Sequence, residues 1–144
     1  MATGQRTDPY RAYNFLVEID GIIQAGFQEC TGIDSSTDAI DYREGSDPNH
    51  VRKLTGLNKF TAITLKRGIT DSDELWKWRL TVVLGAADRR NGSVVLLDTT
   101  GAEKLRWNFF QAWPSKWTGP SFNSTGNTVA VETLEITHEE LVKA

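Results

Sequence analysis

Hydrophobic and polar positions alternate over several short stretches of this chain. Tyr13, Phe15, Val17 and Ile19 interleave with Asn14, Leu16 and Glu18, as in a strand with one wet face. Asp20-Gly21 follows at once, a strong hairpin signal, and Ile22–Gln28 reads as the returning strand with a bulge at Gly26. Ala39–Arg43 is short and β-like. Phe60–Lys66 alternates again until Gly68 stops it. Ser93–Leu97 and Glu103–Gln111 add two strands, the second with Leu105, Trp107 and Phe109 on one face. Ala112–Pro120 reads as a stiff Trp- and Pro-rich connection. Val129–His138 reads as a last strand whose phase changes near Glu132-Thr133, which suggests a bulge.

One segment has a different period. Leu75, Trp76, Trp78, Leu80, Val82 and Val83 recur at helical spacing and predict a helix over about 72–84. Asp71, Ser72 and Asp73 offer N-cap oxygens, Glu74 adds charge at the N-terminus, and Gly85 suits the position after the last turn. The apolar arc of this helix is wider than one core needs, and Arg79 falls inside it. Either the helix is buried on two sides, one of them another subunit, or Arg79 snorkels past the core edge.

Glu44–Asn58 has no usable period and carries Gly45, Pro48 and Gly56 as breakers. A loop of roughly 15 residues is uncommon in a compact domain. Its apolar anchors Val51, Leu54 and Leu57 suggest an arm that docks on something. Residues 1–9 are polar and read as a flexible N-terminal arm. About seven strands and one helix predict a mostly β fold in a single domain, residues 1–144. The expected architecture is a two-sheet antiparallel β-barrel or sandwich, with the helix packed on its side and a long extended loop over about 44–58.

Composition narrows the function classes. Hydrophobic content of 39% and charged content of 24% are ordinary for a soluble globular protein. A net charge of −3 gives no overall pull toward nucleic acid or anionic membrane. The single Cys30 excludes an internal disulfide and a cysteine zinc site. No apolar run approaches the ~20 residues of a membrane span, and the first residues lack the apolar stretch of a signal peptide. The expectation is synthesis and folding in a reducing cytoplasm.

Charge is segregated along the chain. Glu18, Asp20, Glu29, Asp34, Asp38, Asp41, Glu44 and Asp47 face a lone Arg43 over the first block. Arg52, Lys53, Lys59, Lys66 and Arg67 then occur between Pro48 and Thr70 without an acid. These blocks are either solvated faces or the two halves of a contact between copies, with Arg52 or Lys53 against Glu44 or Asp47 of the next copy.

No catalytic, cofactor or metal site is expected. His50 and His138 have no nucleophile or ligand motif around them and read as solvated. No phosphate loop or dinucleotide fingerprint occurs. The acids Asp71, Asp73 and Glu74 read as helix caps rather than a metal cluster.

The ordered set YNFLVEIDG (Tyr13–Gly21), Tyr42-Arg-Glu-Gly45, ITLKRG (Ile63–Gly68), LWKW (Leu75–Trp78), WPSKW (Trp113–Trp117) and VAVETLEITHE (Val129–Glu139) resembles phage-type tail tube proteins. These form the inner tube of contractile tails and of bacterial contractile injection systems. The resemblance runs from about residue 9 to 142 and implies hexameric rings stacked head to tail into a hollow tube inside a contractile sheath. It implies sheath, baseplate, spike and tube-terminator partners, with DNA or effector proteins passing through the lumen of a particle that acts outside the cell. The ring-stacking loop would hold Glu44, Asp47, Arg52, Lys53 and Lys59, and the lateral contact Trp76, Arg79 and Val83. A tube-initiator or baseplate paralogue forming one ring, and a monomeric ligand-binding β-barrel, are the alternatives.

Overall fold

The computed structural model describes residues 10–11, 14–20, 22, 26–46 and 48–144. The expected N-terminal arm, Tyr13, the Gly21 turn and Asp47 lie outside these. The elements are β1 (Phe15–Ile19), β2 (Phe27–Thr31), β3 (Ser36–Tyr42), β4 (Arg52–Lys59), β5 (Ile63–Gly68), α1 (Glu74–Val83), β6 (Arg90–Leu97), β7 (Glu103–Thr118), β8 (Val131–Thr137) and β9 (Glu140–Lys143). The antiparallel body has the order β1-β6-β7-β8-β5-β2, with β9 also paired to β7. Strands β3 and β4 form a separate ribbon. Since β1 and β2 end the path, the body does not close into a barrel.

The body folds over at β7. Its first half pairs with β6 and β9, its second half with β8. At the bend Gln111 has φ 55°, alone among described non-glycine residues in the left-handed region. Its N–H donates to Asn91 Oδ1 at 3.0 Å, which holds the bend. Strand β8 turns the same corner into β9 through His138. That ring is buried, 3.2 Å from the Glu140 carbonyl and 3.0 Å from the Thr61 carbonyl, and beside Phe60 and Phe109. The solvated reading of His138 is thus corrected: the ring is buried at the corner with both nitrogens against backbone carbonyls, as a buried polar group requires. His50 is exposed. The core between the half-sheets contains Val17, Ile63, Leu65, Val94, Phe109, Leu134 and Ile136, joined by Leu75 and Trp78 from α1.

Of the expected hairpin after Asp20-Gly21, the described residues keep the antiparallel bridge of Ile22 to Ile19, with the Ile22 N–H donating to the Ile19 carbonyl at 2.9 Å, while residues 23–25 of the returning strand lie outside the described residues. Strand β1 pairs with β6 and β2 with β5. Two sequence expectations change for physical reasons. The Trp113–Trp117 connection is strand, with its proline beside a bulge between Pro114 and Lys116. The expected bulge near Glu132 is absent from β8, which pairs with β5 in unbroken register. Glu132 keeps the buried phase of Leu134 and Ile136 because it meets Arg67 across the strands, Nε to Oε1, with both side chains under a tenth exposed. Glu132 also accepts from Trp117 Nε1 at 3.3 Å, and Arg67 donates to the Ser72 carbonyl at 3.2 Å. Buried charge therefore sits where hydrophobicity was expected.

Helix α1 is slightly shorter than expected. Asp73 occupies the N-cap without a side-chain cap bond and pairs instead with Lys77 at 3.3 Å. At the other end Gly85 takes φ 83°, where its N–H reaches the Val82 carbonyl at 3.0 Å and Ala86 N–H reaches Thr81 at 2.9 Å. That is the paired C-terminal closure for which glycine is favoured.

Candidate assembly surfaces

Of the extended loop expected over 44–58, residues 52–58 are in β4, and among the described residues before it a turn lies at 45–46 and a bend at 49–50. Strands β3 and β4 pair through Ala39↔Thr55, Ile40↔Leu54, Asp41↔Lys53 and Tyr42↔Arg52, so Ile40 and Leu54 share a face with Tyr42 and Arg52. A bulge leaves Gly56 and Leu57 opposite Asp38 and pushes Leu57 outward at 75% exposure. Among the described residues no hairpin residue belongs to the hydrophobic core, and the ribbon makes at most slight contact with any other element. Its root is rigid. Gly32 sits at φ 95° with the Ala62 carbonyl 2.2 Å from where a Cβ would be, so only glycine fits between the strands flanking the hairpin.

Several charged residues of the hairpin have partners within it. Lys53 pairs with Asp41, and Lys59 with Asp38 at 3.0 Å. Tyr42 donates its phenol to Glu44 at 2.7 Å, a bond that pushes the phenol above its ordinary range. Arg43 braces the turn through the Pro48 carbonyl at 3.4 Å, and Arg52 also has an interaction partner. The structure brings Glu44, Arg52, Lys53 and Lys59 onto one hairpin. What the charge pattern missed is the apolar set Ile40, Tyr42, Leu54 and Leu57, exposed on strands that pair only with each other. Leu54 and Leu57 were already legible as apolar anchors of a docking arm, whereas Ile40 and Tyr42 lay in a short β-like segment that gave no sign of exposure.

Of the helix residues, Trp76 leans on Trp117 with ring centroids 4.8 Å apart, and Arg79 donates to the Pro114 carbonyl at 3.1 Å. Both are anchored to β7 of their own chain. Val83 is 59% exposed and continues into exposed Leu84. Helix α1 thus lies along the second half of β7. That half-strand and β2 are the lateral edges of the half-sheet β7-β8-β5-β2, and no further strand covers them among the described residues.

An open, mainly apolar cleft of about 420 Å³ lies between β1, β2, β6 and β7, lined by Tyr10, Phe15, Cys30, Ile33, Val95 and Trp107 among others. Burial pushes the Cys30 thiol up to about 11, away from nucleophilic use. Among the described residues no group of acids, histidines or cysteines could hold a metal ion, and no helix is long and apolar enough to cross a membrane.

Comparison with known proteins places this geometry. The family profile of the T4-like virus tail tube protein gp19 matches residues 11–142. The chain is similar to a protein in the sheath–tube complex of the extracellular contractile injection system PVC in its extended state, at 28% identity and TM-score 0.85, covering 94% of this chain and 91% of that one. It is also similar to a protein in the PVC sheath/tube terminator, at 28% identity and TM-score 0.87, covering 96% and 98%. Hcp1 from Flavobacterium johnsoniae shares the fold, at 19% identity, TM-score 0.54 and coverage of 89% and 94%. No curated protein sequence matches. With the profile spanning almost the whole chain, and a two-sheet β body carrying one helix and a projecting hairpin, the chain belongs to the T4-like tail tube protein family.

Proposed function

We propose that this protein is the inner tube of a contractile injection particle, a structural component without catalytic turnover or cofactor. Copies form hexameric rings, and the rings stack into a hollow conduit for DNA or effector proteins. The sheath, baseplate, spike and tube-terminator are its partners. It is made and assembled in the cytoplasm, in one domain, and acts outside the cell as part of the particle.

Within a ring, the free edge of β2 meets the second half of β7 of the next copy, joining the half-sheets by backbone pairing. Helix α1 lies beside that seam, which assigns Trp76, Arg79 and Val83 to the lateral contact, with Val83 as its outward part. The β3–β4 hairpin makes the contact between rings. Glu44, Asp47, Arg52, Lys53 and Lys59 belong to that element, where they set register. Ile40, Tyr42, Leu54 and Leu57 supply the buried area.

One observation carries this reading. A two-stranded ribbon is marginal by itself in water, and exposed apolar side chains on such a ribbon mark an interaction surface. The hairpin is therefore a part of the structure completed by another copy. Negative-stain microscopy of the purified protein tests it. Long tubes are expected; isolated rings that never stack point to an initiator paralogue, and featureless monomers contradict the tube role.

A further inference from the structure

We propose that the β7–β8 loop, residues 119–130, is the surface on which the hairpin of the adjoining ring docks. This rests on the stacked-tube reading above. The two features leave the half-sheet at opposite ends. Register places the start of β5, the end of β2 and the end of β8 together, through Thr31↔Thr64 and Ile63↔Ile136. The hairpin, inserted between β2 and β5, emerges from that end. At the other end lie Gly68, Val131 and Thr118, and the β7–β8 loop connects the last two. A head-to-tail repeat sets unlike ends against each other, so each hairpin faces this loop on the next ring.

The chemistry of the two surfaces agrees. The loop sequence Gly119–Ala130, GPSFNSTGNTVA, contains no charged residue. Phe122 is 89% exposed and Val129 71% exposed, and Ile69 lies beside the Val129 end of the loop, its N–H donating to the Ala130 carbonyl at 2.9 Å. On the hairpin, lysine charges are neutralised by aspartates of the same ribbon while Ile40, Leu54 and Leu57 stay uncovered. Joining a loop that has no charged residue and two exposed apolar ones to a ribbon whose lysines are already paired leaves no lysine charge unpaired in the contact.

The loop is also preset. Asn123 Oδ1 accepts from Thr125 N–H at 3.1 Å and Thr125 Oγ1 at 2.8 Å, and Gly126 N–H bonds the Asn123 carbonyl at 3.1 Å. Phe122 is thereby presented on a braced turn, which lowers the ordering cost of binding. The Asn123-Ser-Thr125 sequence acts here as a turn that aims the phenylalanine.

A cysteine pair tests the contact. In a Cys30→Ser background, Leu57→Cys with Phe122→Cys, and separately Leu54→Cys with Val129→Cys, are oxidised after assembly. At least one pair is expected to give a reducible ladder of linked chains in the tube fraction, and none with either cysteine alone. Phe122→Asp is expected to leave folded hexameric rings that do not elongate. Tubes from Phe122→Asp as abundant as wild type, or tubes from both cysteine pairs without any ladder, overturn the docking assignment. Loss of rings in folded Phe122→Asp also overturns it, because the loop would then serve the lateral contact. If the wild type itself builds neither rings nor tubes, the tube reading fails instead.

Discussion

Strands β4 and β5 are separated by only Phe60–Ala62, yet they have opposite fates. Strand β5 lies between β2 and β8, and Ile63, Leu65 and Arg67 are all buried. Strand β4 pairs only with β3 and leaves all but one of its residues exposed. Strand β5 is hydrogen-bonded along both edges and β4 along one. The apolar side chains differ in the same direction: those of β5 find cover within the chain, and in the tube proposed above those of β4 would find it in another copy.

That contrast can be broken from either side. The largest effect is expected at Arg67 on β5. Arg67→Met strands the buried Glu132 carboxylate and lowers stability by about 3–5 kcal/mol in urea unfolding, whereas Arg67→Met with Glu132→Leu recovers most of it. A double variant as unstable as the single one would show that packing, rather than the orphaned charge, sets the cost. A smaller gain is expected at the β7 bend. Gln111→Gly relieves a left-handed residue worth about 1–2 kcal/mol and gives part of this back as chain entropy, a net rise of roughly 0.5–1 kcal/mol. A loss of stability there would mean that the glutamine side chain supports the corner. The smallest effect on folding is expected on the hairpin. Leu54→Asp shifts subunit stability by no more than about 0.5 kcal/mol, as for surface positions generally, while abolishing tubes under the microscope. Wild-type tube yield from Leu54→Asp would remove this face from the ring contact.

The same contrast explains what the sequence could disclose. Hydrophobic period reports burial within one chain, so β5, α1 and the Glu103–Gln111 stretch are readable, while β4 hides in an apparently aperiodic loop because its apolar residues stay outside the core of the chain. Glu132 looked like a phase change because a buried carboxylate is indistinguishable from a solvated one until Arg67 is found opposite it. Trp113–Trp117 looked like a connection because Pro114 is a strand breaker except beside a bulge. The charge blocks drew attention to the right hairpin but to side chains that are partnered inside it. Phe122 carried no periodic signal at all, and only the strand register shows that its loop and the hairpin leave the half-sheet at opposite ends.

Hydrogen exchange of the β4 amides Lys53–Asn58, compared between dissociated subunits and assembled tubes, tests most directly whether the hairpin is completed by another copy. In dissociated subunits these amides are expected to exchange far faster than those of β5, and in tubes to slow toward the β5 rates. Protection equal to that of β5 in the free subunit, or no slowing in the tube, would contradict it.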